Sequence, residues 1–402
     1  MCGIAGILTL DKNININEKL ELAELSQQHR GPDIQDKVIY NEGPWNIGLA
    51  HQRLSILDLS DSGVQPMETK SQNSSIIYNG EVYNYIEIKP KLTQRNYSSN
   101  TDTEVVINAL EELGIEDAVN MFNGMWAFAW YSKVEKKLYL CRDRAGVKPL
   151  YYYHDGNTFY FASEVKSILE ASSKQFSLNT QAVGEYLLQS LQDTSNNSFY
   201  SEINAVPAGH YLEIDLSDIE IKYKSVRYWD VLAAKAFSGE GLSEHVNELF
   251  NDAVSLRMRS DVPVGVTLSG GLDSSAIASS MMKHLGSADN LNILSAVSPG
   301  SELDESEFID EMSEYLGAKV HKVELNWSAS ESVELLKKVT WHNDSPVGSF
   351  SNVAHYLLMK KAKELGITVI LSGQGADELL CGYKKYLGFY IQGLIKERRI
   401  FK

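Results

Sequence analysis

The chain has 402 residues, 43% of them apolar, and a net charge of −16 at neutral pH. That length supports large cores in two or more domains, and the acidity excludes an extended nucleic-acid surface. No apolar run reaches membrane length and the first residues lack the basic flank of a secretory signal, so a cytoplasmic protein without membrane partners is expected.

The first feature in chain order is Cys2, which, with Cys141 and Cys381, stands in no metal-ligand spacing and reads as a reduced thiol. A thiol behind the initiator Met becomes N-terminal once Met1 is removed, and it then carries its own base. A free α-amino group titrates near pH ~8 and can take the thiol proton directly or through water. Gly3 leaves room beside such a nucleophile, although a Cys at position 2 carries little information by itself.

Short polar clusters follow at expected strand ends: 28–33, 50–58 around Arg53, 78–84 with Asn79, Gly80 and Glu81, and 100–104 around Asp102. Such clusters suit a small polar ligand. Singly, each has a plainer reading: Asp102 as the N-cap of a helix over 104–113, Asn79-Gly80 as a tight turn, Arg53 as a surface charge. Residues 122–131 and 137–144 alternate or run apolar like paired strands, with the aromatic stripe of the first in a sheet core and Cys141 packed as a small hydrophobe. Residues 170–235 read as a bridge containing a polar loop at 194–198 and a turn and strand at 206–212, and 237–241 (Phe-Ser-Gly-Glu-Gly) punctuates a boundary near 215–240. An amphipathic helix is expected over 243–258.

Residues 264–275 then read as strand, loop and helix start, with Leu268, Ser269, Gly270, Gly271, Leu272, Asp273, Ser274 and Ser275 forming the loop. Adjacent glycines let bare N–H groups approach a ligand, and the helix start adds positive dipole, so the loop should hold phosphate. The lysine of the common P-loop is absent. Strand patterns at 291–297, 318–325 and 368–372 alternate with helix patterns at 305–316 and 351–365, which implies a parallel doubly wound sheet with ligands at the strand carboxyl ends. Val297 and the run Ser372-Gly373-Gln374-Gly375-Ala376-Asp377-Glu378 lie at such ends. Asp273 and Asp377 have the oxygen donors to share a Mg²⁺, while a helix cap is the plainer reading of Asp377.

The string Ser-Gly-Gly-Leu-Asp-Ser-Ser at 269–275 resembles the pyrophosphate loop of ATP pyrophosphatases. Cys2 and the polar clusters resemble, in order and spacing, the glutaminase domain of class II glutamine amidotransferases, which are N-terminal nucleophile hydrolases. That likeness continues through 142–151 and 161–166 to about residue 170. In domain order the whole chain resembles the glutamine-hydrolysing asparagine synthetase family. The resemblance implies an α+β sandwich of αββα type over 1–215, a linker over 216–240, and an α/β doubly wound parallel-sheet nucleotide domain over 241–402.

For the site, the resemblance implies that Cys2 attacks the glutamine side-chain amide to form a thioester. Asn79, through its side-chain NH₂, and Gly80, through its backbone N–H, would hold the oxyanion. Arg53 would grip the glutamine α-carboxylate and Asp102 its α-ammonium, helped by Glu81. ATP would sit on 268–275 with Val297, Ser372 and Gly373, and Mg²⁺ on Asp273 and Asp377. The implied reaction activates aspartate as an acyl-adenylate that ammonia attacks, giving asparagine, AMP and pyrophosphate; an enclosed passage would keep the ammonia unprotonated. A homodimer is the assembly to test. Two departures stand out. Gln374 occupies a place where the family carries Glu, and a neutral amide is no base, so another carboxylate acceptor, in surface-polysaccharide or secondary-metabolite chemistry, stays open. The family continues beyond the position of Lys402, so the nucleotide domain is expected to be C-terminally incomplete. A glutaminase acting alone, or a non-catalytic module that binds glutamine or nucleotide, are the alternatives.

Overall fold

A computed structural model describes residues 1–233, 237–302 and 304–399. The chain divides into two compact units, Met1–Leu242 with Leu335–Phe350, and Ser243–Glu334 with Ser351–Lys402.

The strands of the first unit are β1 (Gly3–Thr9), β2 (Ile34–Glu42), β3 (Trp45–Arg53), β4 (Met67–Glu68), β5 (Ser74–Val82), β6 (Gly124–Ser132), β7 (Lys137–Arg142), β8 (Tyr151–His154), β9 (Thr158–Ala162), β10 (Asn204–Ala205), β11 (His210–Asp215) and β12 (Lys222–Arg227). They form two six-stranded antiparallel sheets, ordered β10-β8-β9-β1-β3-β2 and β12-β11-β7-β6-β5-β4. Alternation along each strand sorts the side chains into layers. In β6, Ala127, Ala129 and Tyr131 pack with Ile4, Leu49 and Phe161 of the other sheet, while Trp126, Phe128 and Trp130 pack against the helices Asp102–Leu113 and Ile115–Met121. In β1, Ile4 and Leu8 lie between the sheets, and Ala5 and Ile7 pack with the helices Ile16–Gln27 and Val165–Ser172. The result is an αββα sandwich. Because both faces of β1 are covered, all of its residues are buried and its sequence shows no polar alternation.

The aromatic stripe is sheet core as expected, and Cys141 is buried within it. Residues 216–240, expected as a linker, carry the edge strand β12, which pairs with β11. Its sequence, Lys-Tyr-Lys-Ser-Val-Arg, is mostly exposed and so offers no apolar pattern. The 170–235 bridge also holds a helix, Thr180–Gln189, with no buried residue to mark it.

The second unit has four parallel strands, β13 (Val264–Thr267), β14 (Asn292–Val297), β15 (Val320–Glu324) and β16 (Val369–Leu371), in the order β15-β14-β13-β16. The helices Leu242–Arg257, Ser306–Leu316 and Phe350–Glu364 fall within a residue of their expected ranges, while Leu272–Leu285 begins inside the stretch expected as loop, at Leu272. Helix Ala329–Asn343 was not anticipated: Val339 is its one buried residue, so it presents little apolar stripe. From β13 the chain moves outward to β14 and β15, then returns to add β16 on the other side. The order therefore reverses between β13 and β16, the place where open parallel sheets take ligands. Among the described residues, no helix is long and apolar enough to cross a membrane.

Candidate active site

The amino end enters β1 beside the carboxyl end of β3, because Gly3 pairs with Gln52. A Cβ on Gly3 would stand 2.6 Å from Gln52 Oε1 and 3.1 Å from Gln27 Nε2, so a side chain after Cys2 would have to displace these two glutamine amides. Cys2 Sγ accepts from Leu54 N at 3.4 Å and lies 3.7 Å from Leu54 O. The Met1 side chain is half exposed but its amino group faces inward. Burial, aided by Arg30 and Lys148, pushes that ammonium down from 8.0 to about 5 against the opposing effect of Cys2, so the neutral amine, able to accept a proton, prevails at pH 7.

Cys2, Arg53, Gly80, Glu81 and Asp102 line one open cleft with about 320 Å³ of space. Asn79 is not among the lining residues. It precedes Gly80 on β5, is 1% exposed, and its Nδ2 is buried with no hydrogen-bond partner among the described residues. Gly80 is demanded by sheet packing: a Cβ there would meet Met125 O at 2.6 Å and Trp126 Cα at 2.8 Å. Arg53 is 4% exposed. Its Nη1 donates to Ser60 O at 2.7 Å and its Nη2 to Leu57 O at 3.1 Å and to Asp58 O, so part of the guanidinium ties down the loop after β3. Of its five N–H groups, Nε–H and one Nη1–H are not spent on these carbonyls.

Asp102 opens its helix without capping it: the N-cap is Thr101, whose Oγ1 accepts from Glu104 N at 3.3 Å. The Asp102 carboxylate instead accepts from Tyr78 OH and from Val82 N, both at 2.8 Å. Burial nevertheless pushes its carboxyl above the usual range. Glu81 is pushed well up as well, first by burial and then by the charge of Asp102, with Lys148 opposing, and its Oε2 is buried with no hydrogen-bond partner among the described residues. Sequence reasoning assigned Lys148 no role. It is 6% exposed, and its ammonium is lowered by burial and supported by the charges of Glu81 and Cys2. The signal for it was the segment 142–151, noted only as a likeness.

In the second unit, the loop after β13 turns at Gly270, with φ +75°, and reaches the helix Leu272–Leu285 through the N-cap Gly271, which supplies no side-chain cap. The first N–H groups of a fourteen-residue helix are thus left for an anion. Ser274 Oγ braces the loop by accepting from Ser269 N at 3.2 Å and donating to Gly271 O at 3.2 Å. The loop after β16 adjoins it, since a Cβ on Gly373 would lie 3.1 Å from Asp273 Cβ and 3.3 Å from Ser274 N. Leu268 and Val297 are buried in the sheet core. Asp377 stands in the first turn of the helix Ala376–Leu380 that follows β16. Asp273 and Asp377 carry oxygen donors of the kind a hard cation takes, and among the described residues no group of three or more His, Cys, Asp or Glu stands together to hold a metal ion.

An αββα sandwich with a thiol at its amino end, joined to a parallel-sheet unit with a glycine-rich anion crevice, defines the class of N-terminal-nucleophile amidotransferases with a nucleotide domain. The family described as glutamine amidotransferase domain matches residues 1–229, and that described as asparagine synthase matches residues 245–394. The chain is 37% identical over 416 residues to a Methanocaldococcus jannaschii protein provisionally named glutamine-hydrolyzing asparagine synthetase 2, with 99% of this chain and 78% of that protein covered. Identity is 33% over 393 residues to the glutamine-hydrolyzing asparagine synthetase 1 of Bacillus subtilis (96% and 59% covered), and 29% over 415 residues to the amidase chry2 of Gibberella zeae (96% and 60% covered). The chain therefore belongs to the glutamine-hydrolysing asparagine synthetase family. It spans about three fifths of the length of the latter two relatives.

Proposed function

We propose that this chain takes ammonia from glutamine with Cys2 and delivers it to an ATP-activated carboxylate, that of aspartate, so forming asparagine. The observation that carries the reading is the convergence of Cys2, Arg53, Gly80, Glu81 and Asp102 on one cleft, with Asn79, whose Nδ2 has no hydrogen-bond partner among the described residues, next to Gly80 in β5.

With Met1 removed, the Cys2 amine takes the thiol proton and Leu54 N–H stabilises the thiolate. The sulfur attacks the glutamine amide carbon, and the oxyanion is held by Asn79 Nδ2 and the Gly80 N–H. Collapse breaks the C–N bond, the ammonium of Cys2 protonates the leaving nitrogen, and ammonia departs. Water then cleaves the thioester, giving glutamate and restoring the thiol. Arg53 and Asp102 hold the two ends of the glutamine amino-acid group, which fixes the side chain in line with the sulfur. ATP supplies the leaving group that turns a carboxylate into an electrophile. The 268–275 loop, Ser372 and Gly373 would hold its phosphates, and Asp273 and Asp377 a Mg²⁺.

A second acceptor, some other carboxylate, is favoured by one observation: Gln374, exposed in the loop after β16, is neutral where the family pattern is acidic. The test is to supply glutamine, Mg-ATP and aspartate and to measure glutamate, pyrophosphate and asparagine separately, with Cys2→Ala as control. Matching pyrophosphate and asparagine support aspartate. Glutamate without asparagine, followed by pyrophosphate release with other carboxylates, would move the acceptor, and absence of glutamate would sink the role of Cys2.

A further inference from the structure

A nucleophile at the first position of a chain has no preceding residue to fix it, so its orientation is controlled from the carbonyl side. Here that carbonyl is gripped: Arg30 Nε donates to Cys2 O at 2.9 Å. Arg30 Nη1 donates to Glu164 Oε1 at 3.0 Å, and His29 Nε2 lies 3.0 Å from the same atom. Lys166 Nζ donates to the other oxygen of Glu164 at 2.5 Å and pairs with Asp344 Oδ1 at 2.9 Å. The backbone N–H of Lys166 adds a bond to Asp344 Oδ2 at 3.3 Å. All four side chains are close to fully buried, with Arg30, Glu164, Lys166 and Asp344 at 8%, 5%, 12% and 11% exposure. In such surroundings each charge depends on the next, unlike an exposed ion pair. Burial alone would raise the Glu164 carboxyl, but His29, Arg30 and Lys166 hold it down to about 2.

The far end of this chain of charges is distant in sequence. Asp344 lies in Leu335–Phe350, which groups with the first unit although the residues on either side, Ser243–Glu334 and Ser351 onward, build the second. Trp341 from the same segment receives Lys166 Nζ at 4.6 Å from its ring centre and the His29 ring at 4.9 Å. Two further bonds anchor the segment: Tyr186 OH donates to Val347 O at 2.8 Å and Gln192 Nε2 to Pro346 O at 2.5 Å.

We propose that Arg30 and Glu164 are positioning residues for the Cys2 nucleophile, and that the Lys166–Asp344 pair makes their grip depend on the 335–350 segment. Presentation of the sulfur is then tied to a stretch whose two ends both run into the nucleotide unit. The inference rests on the reading of Cys2 as the nucleophile.

The test uses the full chain and two readouts: the rate of Cys2 alkylation by iodoacetamide, followed by intact mass, and the kcat and KM for glutamate release, normalised by active-site titration with a covalent glutamine analogue. In Asp344→Asn and Glu164→Gln, alkylation and kcat should each fall about tenfold while KM for glutamine stays within about twofold, the split expected when orientation rather than binding is lost. Tyr186→Phe loosens the segment without touching a buried charge and should show the same split at smaller amplitude, which covers the case in which a charge variant does not fold. A merely structural role would lower thermal stability and leave both rates per titrated site unchanged; that result in the folded variants overturns the proposal. If the wild-type chain released no glutamate, the catalytic reading would fall, while the alkylation rates would still decide the positioning claim.

Discussion

Asn79→Ala separates catalysis from stability at a single atom. The Asn79 Nδ2 group is buried with no partner among the described residues, and an unmade hydrogen bond of this kind costs the folded protein about 1–3 kcal/mol. Truncation removes that penalty and introduces a small cavity that offsets it, so unfolding free energy should change by no more than about 1 kcal/mol. Catalysis has no such compensation. Loss of one oxyanion donor costs about 2.7–4 kcal/mol, or roughly 100- to 1000-fold in kcat. Steady-state glutamate release should therefore collapse while the urea midpoint barely moves. Asn79→Asp, which keeps size but replaces the donor with an acceptor, should be as inactive. A fall in kcat of less than about tenfold in Asn79→Ala, or a large loss of stability with kcat intact, would refute the assignment of this amide to the oxyanion.

Other expectations follow from the same geometry. Asp102 can hold an ammonium only when ionised, and burial raises its carboxyl; on acidification the KM for glutamine should climb at a higher pH than an ordinary carboxylate would give, and in Asp102→Asn it should be high and flat with pH, as steady-state kinetics would show. Glu164 is depressed from 4.5 to about 2, so the unfolded chain takes its proton first; about 3 kcal/mol of stability is present above pH ~4.5 and is lost as the pH falls towards ~2. Urea unfolding across that acid range should show the slope in the wild type and a shallower one in Glu164→Gln. Gly270→Ala places a side chain at φ +75° with its Cβ 2.5 Å from Phe308 Cβ, a strain of about 1–3 kcal/mol; nucleotide binding by calorimetry should weaken, with glutamate release unchanged.

Much of the fold is legible in the residues. The parallel sheet follows from alternating helix and strand patterns, and the β-sheet core from runs such as 126–131 that are buried on both faces. The cleft residues Cys2, Arg53, Gly80, Glu81 and Asp102 stand in polar clusters near strand ends, but taken singly each has a plainer reading, and their joint likeness to a glutaminase domain is what assigned their roles. What escaped notice depends on long-range neighbours. Strand β12 is polar because it is an exposed edge, and the buried charges Lys148 and Glu164 acquire meaning only from groups far away in sequence, such as Asp344 for Lys166. Asp102 shows the converse: local reasoning offered it as an N-cap, and the neighbouring Thr101 takes that task.

The central claim is that nitrogen from glutamine passes through chemistry at Cys2 into an activated carboxylate. Glutamine carrying heavy nitrogen in its side-chain amide, incubated with Mg-ATP, aspartate and the full chain, tests this by mass spectrometry of the amide product. The label should appear in asparagine with the wild-type chain and vanish with Cys2→Ala, which should still make unlabelled asparagine from added ammonium. Labelled asparagine from Cys2→Ala, or wild-type protein that leaves the label in glutamine, would contradict it.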